Sequence, residues 1–406
     1  MNDIRRTILW VIFGFSMVLL WDKWQLHNGN KATFFPSPAA VGAAAPAAGA
    51  SAPLAGAASV PASTAPAVSS IGASAVPGTP APAAPAAREK IEVTTDVYRL
   101  TFDGEGGSLT HAELLKHADM TDKAKNFVLF DESTQRVYVA QTGLIGGSFP
   151  THKTVMTAVP GPRALKDGEN ELTIRFESPE QGGVKLVKTW TLKRGAYDIA
   201  VKHEVVNVGS TAVSPQLYLQ LVRDGNKPPG ESSFYSTFTG PAVYTDAKKY
   251  QKIEFKDIEN GKVDIPKESP NGYVAMVQHY FASAWLLADG VQRELFTRKV
   301  SDNLYSVGMI TPLGNIDPGT TKVVDARLFA GPQVETMMEK LYPGLELVKD
   351  YGWLTILSKP LYWLLDQLHK LLGNWGWSIV ALVLLLKIAF YWLNAKAYAS
   401  MAKMKA

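Results

Sequence analysis

Cysteine is absent from this 406-residue chain. Its absence excludes a disulfide framework, a Cys-ligated metal site and a lipoprotein anchor, and leaves an oxidising compartment open. An excess of either charge is also missing. Forty-one Lys and Arg against 37 Asp and Glu leave a net charge of +4, too little for a nucleic-acid surface. The cluster Lys248-Lys249-Tyr-Gln-Lys252 is offset by Asp246, Glu254 and Asp257 and reads as a solvated loop. Gly104-Glu-Gly-Gly107 lacks the Gly-Lys-Ser/Thr ending of a phosphate loop. No nucleophile elbow or Ser/His/Asp constellation is legible. His111, His117, His152 and His279 have no ligand-like spacing. His203-Glu204 lies on an expected strand, where adjacent side chains point to opposite faces. Asp103 and Glu105 read as a solvated turn. The chain therefore reads as a non-enzyme without metal or cofactor.

What is present is concentrated at the ends. Residues Thr7–Trp21 are apolar or small, preceded by Arg5 and Arg6 and followed by Asp22 and Lys23. The run is short for a span of ~20 residues, but no small-x-small cleavage site follows. It is expected to be an uncleaved signal anchor over 1–24, with Trp21 and Trp24 in the interfacial belt. A second apolar run, 374–394, contains a single charge, Lys387. An ammonium at bilayer depth is expensive, so it normally faces a protein interior or a water-filled cavity and marks function. A lysine snorkelling from a helix end is the plainer alternative, but Lys387 is nearly central in its run. Lys396, Lys403 and Lys405 follow it. Positive residues thus flank both spans on their outer ends, which puts both ends in the cytoplasm and the long middle outside.

Ahead of the second run, Leu361, Leu364, Leu365, Leu368 and Leu372 recur at helical spacing, with Asp366, Gln367, His369 and Lys370 on the other face. Ser358-Lys-Pro360 reads as the helix start, with Pro in the first turn. Residues 346–373 are expected to be an interfacial amphipathic helix, with Trp353 and Trp363 in it and Trp377 at the start of the next span as membrane-interface anchors. A helix packed on the exported domain is the rival reading.

Residues 25–87 read as a linker, and the 38–87 portion is dominated by Ala, Pro, Ser and Gly and carries no charge. That composition cannot bury enough to fold; a tether of about fifty residues reaches roughly 40 Å. Residues 88–345 then carry alternating strand patterns, among them Val97–Phe102, Glu171–Phe176, Val184–Leu192, Tyr197–Asn207, Gln216–Val222, Tyr273–Gln278, Ala282–Leu287, Leu304–Ile310 and Thr321–Phe329. The expected fold is a membrane-anchored, mainly β chain: a large sandwich between two transmembrane helices.

Several motifs then carry a resemblance. Asp3-Ile-Arg-Arg-Thr7 with Trp21-Asp-Lys-Trp24, Gly240-Pro-Ala-Val-Tyr244, Met276-Val-Gln-His-Tyr-Phe-Ala-Ser-Ala-Trp285, Asp350-Tyr-Gly-Trp353, Ser358-Lys-Pro-Leu361, Gly373-Asn-Trp-Gly376 and Tyr398-Ala-Ser-Met-Ala-Lys-Met404 resemble the YidC family of bacterial membrane-protein insertases, in its Gram-negative form. The resemblance implies a periplasmic β-supersandwich similar to mutarotase-like folds, and a helical core with a hydrophilic groove closed towards the periplasm. It implies an inner-membrane location and, as partners, nascent inner-membrane proteins, the Sec translocon with its accessory proteins, membrane lipids and the ribosome. The groove of that family bears one positive residue, usually Arg; Lys387 occupies its position. Lysine keeps the charge but lacks the guanidinium's planar fork. The family continues beyond this point with a cytoplasmic helical hairpin, of which 395–406 would be the start, and further spans. The resemblance therefore implies either a fragment or a truncated product. The rival function is a membrane-tethered periplasmic carbohydrate-binding or mutarotase-like sandwich, which leaves Lys387 unexplained.

Overall fold

The computed structural model of the chain describes residues 89–228, 237–349 and 355–403. The chain separates into two compact units, Met1–Thr79 and Pro80–Ala406, and every described residue belongs to the second. The expected signal anchor and the whole of the linker lie outside the described residues.

Two nine-stranded antiparallel sheets carry the fold. Several of their strands alternate buried and more exposed positions, as in β9 (Asp198–Asn207), because successive side chains on a strand point to opposite faces. The first sheet has, in order, β1 (Lys90–Thr94), β2 (Tyr98–Asp103), β3 (Ser108–Ala118), β4 (Asn126–Glu132), β5 (Val137–Ile145), β10 (Gln216–Asp224), β17 (Leu304–Pro312), β16 (Arg293–Ser301) and β13 (Glu268–Ser269). The second has β12 (Lys249–Lys252) at one edge, then β11 (Gly240–Thr245), β14 (Tyr273–Gln278), β15 (Phe281–Leu287), β18 (Thr321–Pro332), β9, β8 (Val184–Lys193) and β7 (Glu171–Glu177), with β6 (Thr157–Ala158) at the other edge. The mainly β sandwich expected from the strand pattern is what the chain forms.

Apolar side chains from both sheets meet in one core, with Trp190 and Trp285 buried and their rings 6.1 Å apart. Polar groups stitch the sheets across it. The Tyr138 hydroxyl on β5 meets the Met276 carbonyl on β14 (Tyr273–Gln278) and Ser283 on β15 (Phe281–Leu287). Trp285 Nε1 donates to the Gln220 carbonyl at 3.1 Å. Lys188 Nζ on β8 (Val184–Lys193) donates to the carbonyls of Gly106 (2.6 Å) and Thr142 (2.7 Å). Each buried polar atom so paired avoids the cost of desolvation without a partner.

Strands β11 (Gly240–Thr245), β14 and β15 are buried at every position. Strands buried on both faces need a cover. It comes from helix α2 (Glu335–Leu341), the second after the short α1 (Phe255–Glu259), and from the 3-10 turn Leu345–Val348, with Met338, Tyr342, Leu345 and Val348 in the core. The Tyr273 hydroxyl donates to the Gly344 carbonyl at 2.8 Å, and Arg327 to that of Leu341. Gly344 has φ +88°, and a Cβ there would lie 2.6 Å from the Tyr244 ring.

Several local expectations need correction. Ser108–Ala118, to which the sequence pattern assigned no element, is strand β3; its Ala, Glu, Leu and Lys favour a helix, and pairing with β2 (Tyr98–Asp103) and β4 (Asn126–Glu132) overrides that propensity, with register shifts beside Glu113. Lys249–Lys252 is not a loop but an edge strand, where lysines deter further pairing. Asp103 is buried rather than solvated, because its carboxylate accepts the Glu105 N–H at 2.8 Å and closes the turn. His203 and Glu204 do face opposite ways: His203 is fully buried and Glu204 pairs with Arg175 and Lys202.

Candidate functional site at the C-terminal helix pair

Helix α3 spans Thr355–Leu372 and α4 spans Trp375–Lys403. The α3 helix begins earlier than Ser358, so Pro360 lies inside it rather than in its first turn. A proline at that depth removes one N–H bond near the helix start, and the helix runs on through it for three more turns.

The joint between the helices is made by two residues. Gly373 takes φ +64° and its N–H returns to the His369 carbonyl at 2.8 Å, a C-terminal cap that favours glycine. Asn374 caps α4: its side-chain oxygen accepts the Trp377 N–H, and its carbonyl accepts the Ser378 N–H and hydroxyl. Ser378 is fully buried at this corner, and the His369 and Trp375 rings stack at 3.8 Å.

Amphipathic α3 and uniformly apolar α4 have different surfaces. On α4, Trp377, Ile379, Val380, Val383, Leu384, Leu385 and Ile388 are all exposed. Apolar surface left open on such a scale marks contact with another protein or with lipid. Lys387 is exposed on the same helix, and no ion pair or hydrogen bond of it is found among the described residues. The backbone of α4 is ~43 Å long at 1.5 Å per residue, against a hydrocarbon core of ~30 Å. Among the described residues no helix is long and apolar enough, over its placed side chains, to cross a membrane; those of α4 are placed from Trp375 to Tyr391 and at Ala395.

A cavity of about 640 Å³ opens where α2 meets α3. Glu335 and Glu339 line it from α2, and Lys359, Trp363 and Asp366 from α3, with Trp375 at the start of α4. Lys359 pairs with Glu335 at 3.1 Å, and Lys370 with Asp366 at 2.7 Å. The Lys349 ammonium stands 3.8 Å from the centre of the Tyr362 ring.

The structure thus divides the residues expected to form the site. Trp363 lines the cavity. Trp377 is exposed on α4, outside the lining. Lys387 lies ten residues beyond it, ~15 Å along the helix. Trp353 lies outside the described residues. Sequence periodicity did not reveal the carboxylates Glu335 and Glu339, which reach the cavity only because α2 folds back onto the sandwich. Among the described residues no group of three or more His, Asp or Glu is arranged to hold a metal ion.

A protein-family model described as the YidC periplasmic domain matches residues 90–364. A membrane protein insertase YidC of Janthinobacterium sp. (strain Marseille) is 49% identical over 405 residues, covering 99% of this chain and 70% of that protein. The chain belongs to the YidC family. A second YidC relative, from Cupriavidus taiwanensis, is 52% identical over 413 residues, covering 99% of this chain and 71% of the relative. Among solved structures, a galactose mutarotase-like protein from Lactobacillus casei is 12% identical with a TM-score of 0.37, covering 60% of this chain and all of that one; at that score the likeness carries no functional argument. Two segments that carry the YidC resemblance are neighbours in space: Gly240–Tyr244 falls on β11, and Met276–Trp285 on the β14–β15 hairpin beside it.

Proposed function

We propose that the chain acts as a membrane-protein insertase of the inner membrane. Its kinship to insertases over 99% of its length is the observation that carries the reading. In this reading the sandwich is periplasmic, α3 lies in the membrane interface and α4 spans the bilayer. The apolar exposed surface of α4 supports the span, and the Leu stripe and Trp363 of α3 support the interfacial position. Lys387 faces a water-filled groove, where its charge attracts an acidic or polar tail of a nascent protein. Water in the groove lowers the cost of carrying polar groups part-way across. The substrate's apolar segment then moves into lipid, driven by its own burial and without nucleotide hydrolysis. The Sec translocon with its accessory proteins, the ribosome and membrane lipids are the partners this reading calls for.

The test is insertion of acidic-tailed substrates in cells depleted of the native protein. Lys387→Arg should retain insertion. Lys387→Ala should lower it roughly tenfold, and Lys387→Glu more, because the intramembrane charge is lost or inverted. Unchanged insertion of every substrate in all three variants overturns the role of Lys387.

A further inference from the structure

The cavity between α2 and α3 has a chemistry of its own. Three carboxylates, Glu335, Glu339 and Asp366, line it against one cation, Lys359. Glu335 is neutralised by Lys359 and Asp366 by Lys370, whereas Glu339 is exposed and has no ion pair among the described residues. Trp363 and Trp375 present ring surface to solvent at 63% and 48% exposure. Carboxylate beside open aromatic rings is the environment that favours an ammonium group, through ion pairing and cation–π attraction. Lys349 is not among the lining residues, but its ammonium already stands over the ring of Tyr362, which is one of them.

The position of the cavity narrows the occupant. It opens at Trp375, where α4 begins, and the exposed apolar surface of α4 starts within the next turn at Trp377 and Ile379. A cavity at that joint lies at headgroup level if α4 enters the hydrocarbon. We propose that the cavity binds the headgroup of a zwitterionic phospholipid of the phosphatidylethanolamine class. Its ammonium sits among Trp363, Trp375 and Glu339, its phosphate faces Lys359, and its acyl chains run down the apolar side of α4. The site would fix the height and tilt of the helix pair against the bilayer. The orientation part of this proposal rests on the interfacial reading of α3, whereas headgroup binding in micelles does not.

Native mass spectrometry of the full chain in detergent micelles tests it, with phosphatidylethanolamine and phosphatidylglycerol of identical acyl chains. Retention of phosphatidylethanolamine should exceed that of phosphatidylglycerol by at least about fivefold. The Glu339→Gln/Asp366→Asn double variant and, separately, Trp363→Leu should erase the preference while far-UV circular dichroism is unchanged. Equal retention of the two lipids, or a preference that survives in folded variants, overturns the proposal. A lysine-rich peptide that displaces the lipid and binds more tightly would also overturn it, by assigning the cavity to a protein partner. Carbonate extraction of membranes carrying the chain is read separately. A chain that resists extraction but shows no lipid preference loses the headgroup site and keeps the insertase reading. A chain released by carbonate loses the membrane reading instead.

Discussion

Burial sets the behaviour of the single residues that bridge the sandwich. Lys188 is completely enclosed, and desolvation pulls its amine down to about 7. Desolvation likewise lowers His203 to about 3 and His152 to about 4, with the Lys188 charge adding to both. In each case the unfolded chain binds protons at a higher pH than the folded one. Stability from the histidines is therefore complete above about pH 6.5 and falls as the pH drops towards 3–4, by on the order of 1 kcal/mol per pH unit for the enclosed His203 and by less for His152, which solvent partly screens. The sandwich of the full chain should lose near-UV circular dichroism and gain hydrogen exchange across that window. His203→Gln should flatten the slope; an unchanged slope would place the acid sensitivity elsewhere. Lys188 acts with the same sign between pH 7 and 10.5, where stability should rise with pH. Neither buried group was recognisable from its neighbours in sequence, because enclosure depends on a facing sheet contributed by distant strands. Trp285, by contrast, sits in an apolar run that reads as core, and Trp285→Ala should cost about 3–5 kcal/mol, seen as a lowered denaturation midpoint.

Among the elements, α2 and the helix pair depend on a few backbone positions. Gly344 lets the chain turn over Tyr244 with positive φ. Gly344→Ala should cost about 1–3 kcal/mol by forcing both strain and a clash. The check is faster hydrogen exchange in α2 and the β11–β14 pair than in β8 and β9. At the other joint, Asn374→Ala should cost about 1 kcal/mol of capping and fray the first turn of α4, read as loss of the His369–Trp375 contact in Trp375 fluorescence quenching. The α3 stripe and the apolar run of α4 were legible in sequence because helical periodicity and hydropathy are local. Strand β3 was not legible, because its residues prefer a helix and only β2 and β4 make it a strand. The edge strand β12 was read as a loop for a related reason: its charges say that it is solvated, and only pairing with β11 says that it is extended.

For the whole molecule, the kinship to YidC insertases ties a large β sandwich to a helix pair of opposite surface character. Membranes carrying the chain should keep it through alkaline carbonate extraction, and release into the supernatant would contradict a span at α4. What the amino-acid sequence alone determined is a pattern: apolar ends, an uncharged stretch rich in Ala and Pro, strands that alternate, and one charge inside an apolar run. Each of these is a property of composition or of spacing over a few residues, so no fold is needed to read it. Tertiary structure alone decided which strands pair with which, and which polar groups bridge the two sheets. It also brought Glu335 and Glu339 beside Trp363, Asp366 and Trp375. Those contacts join residues tens to hundreds of positions apart, and their energies arise only once burial has removed the water between them.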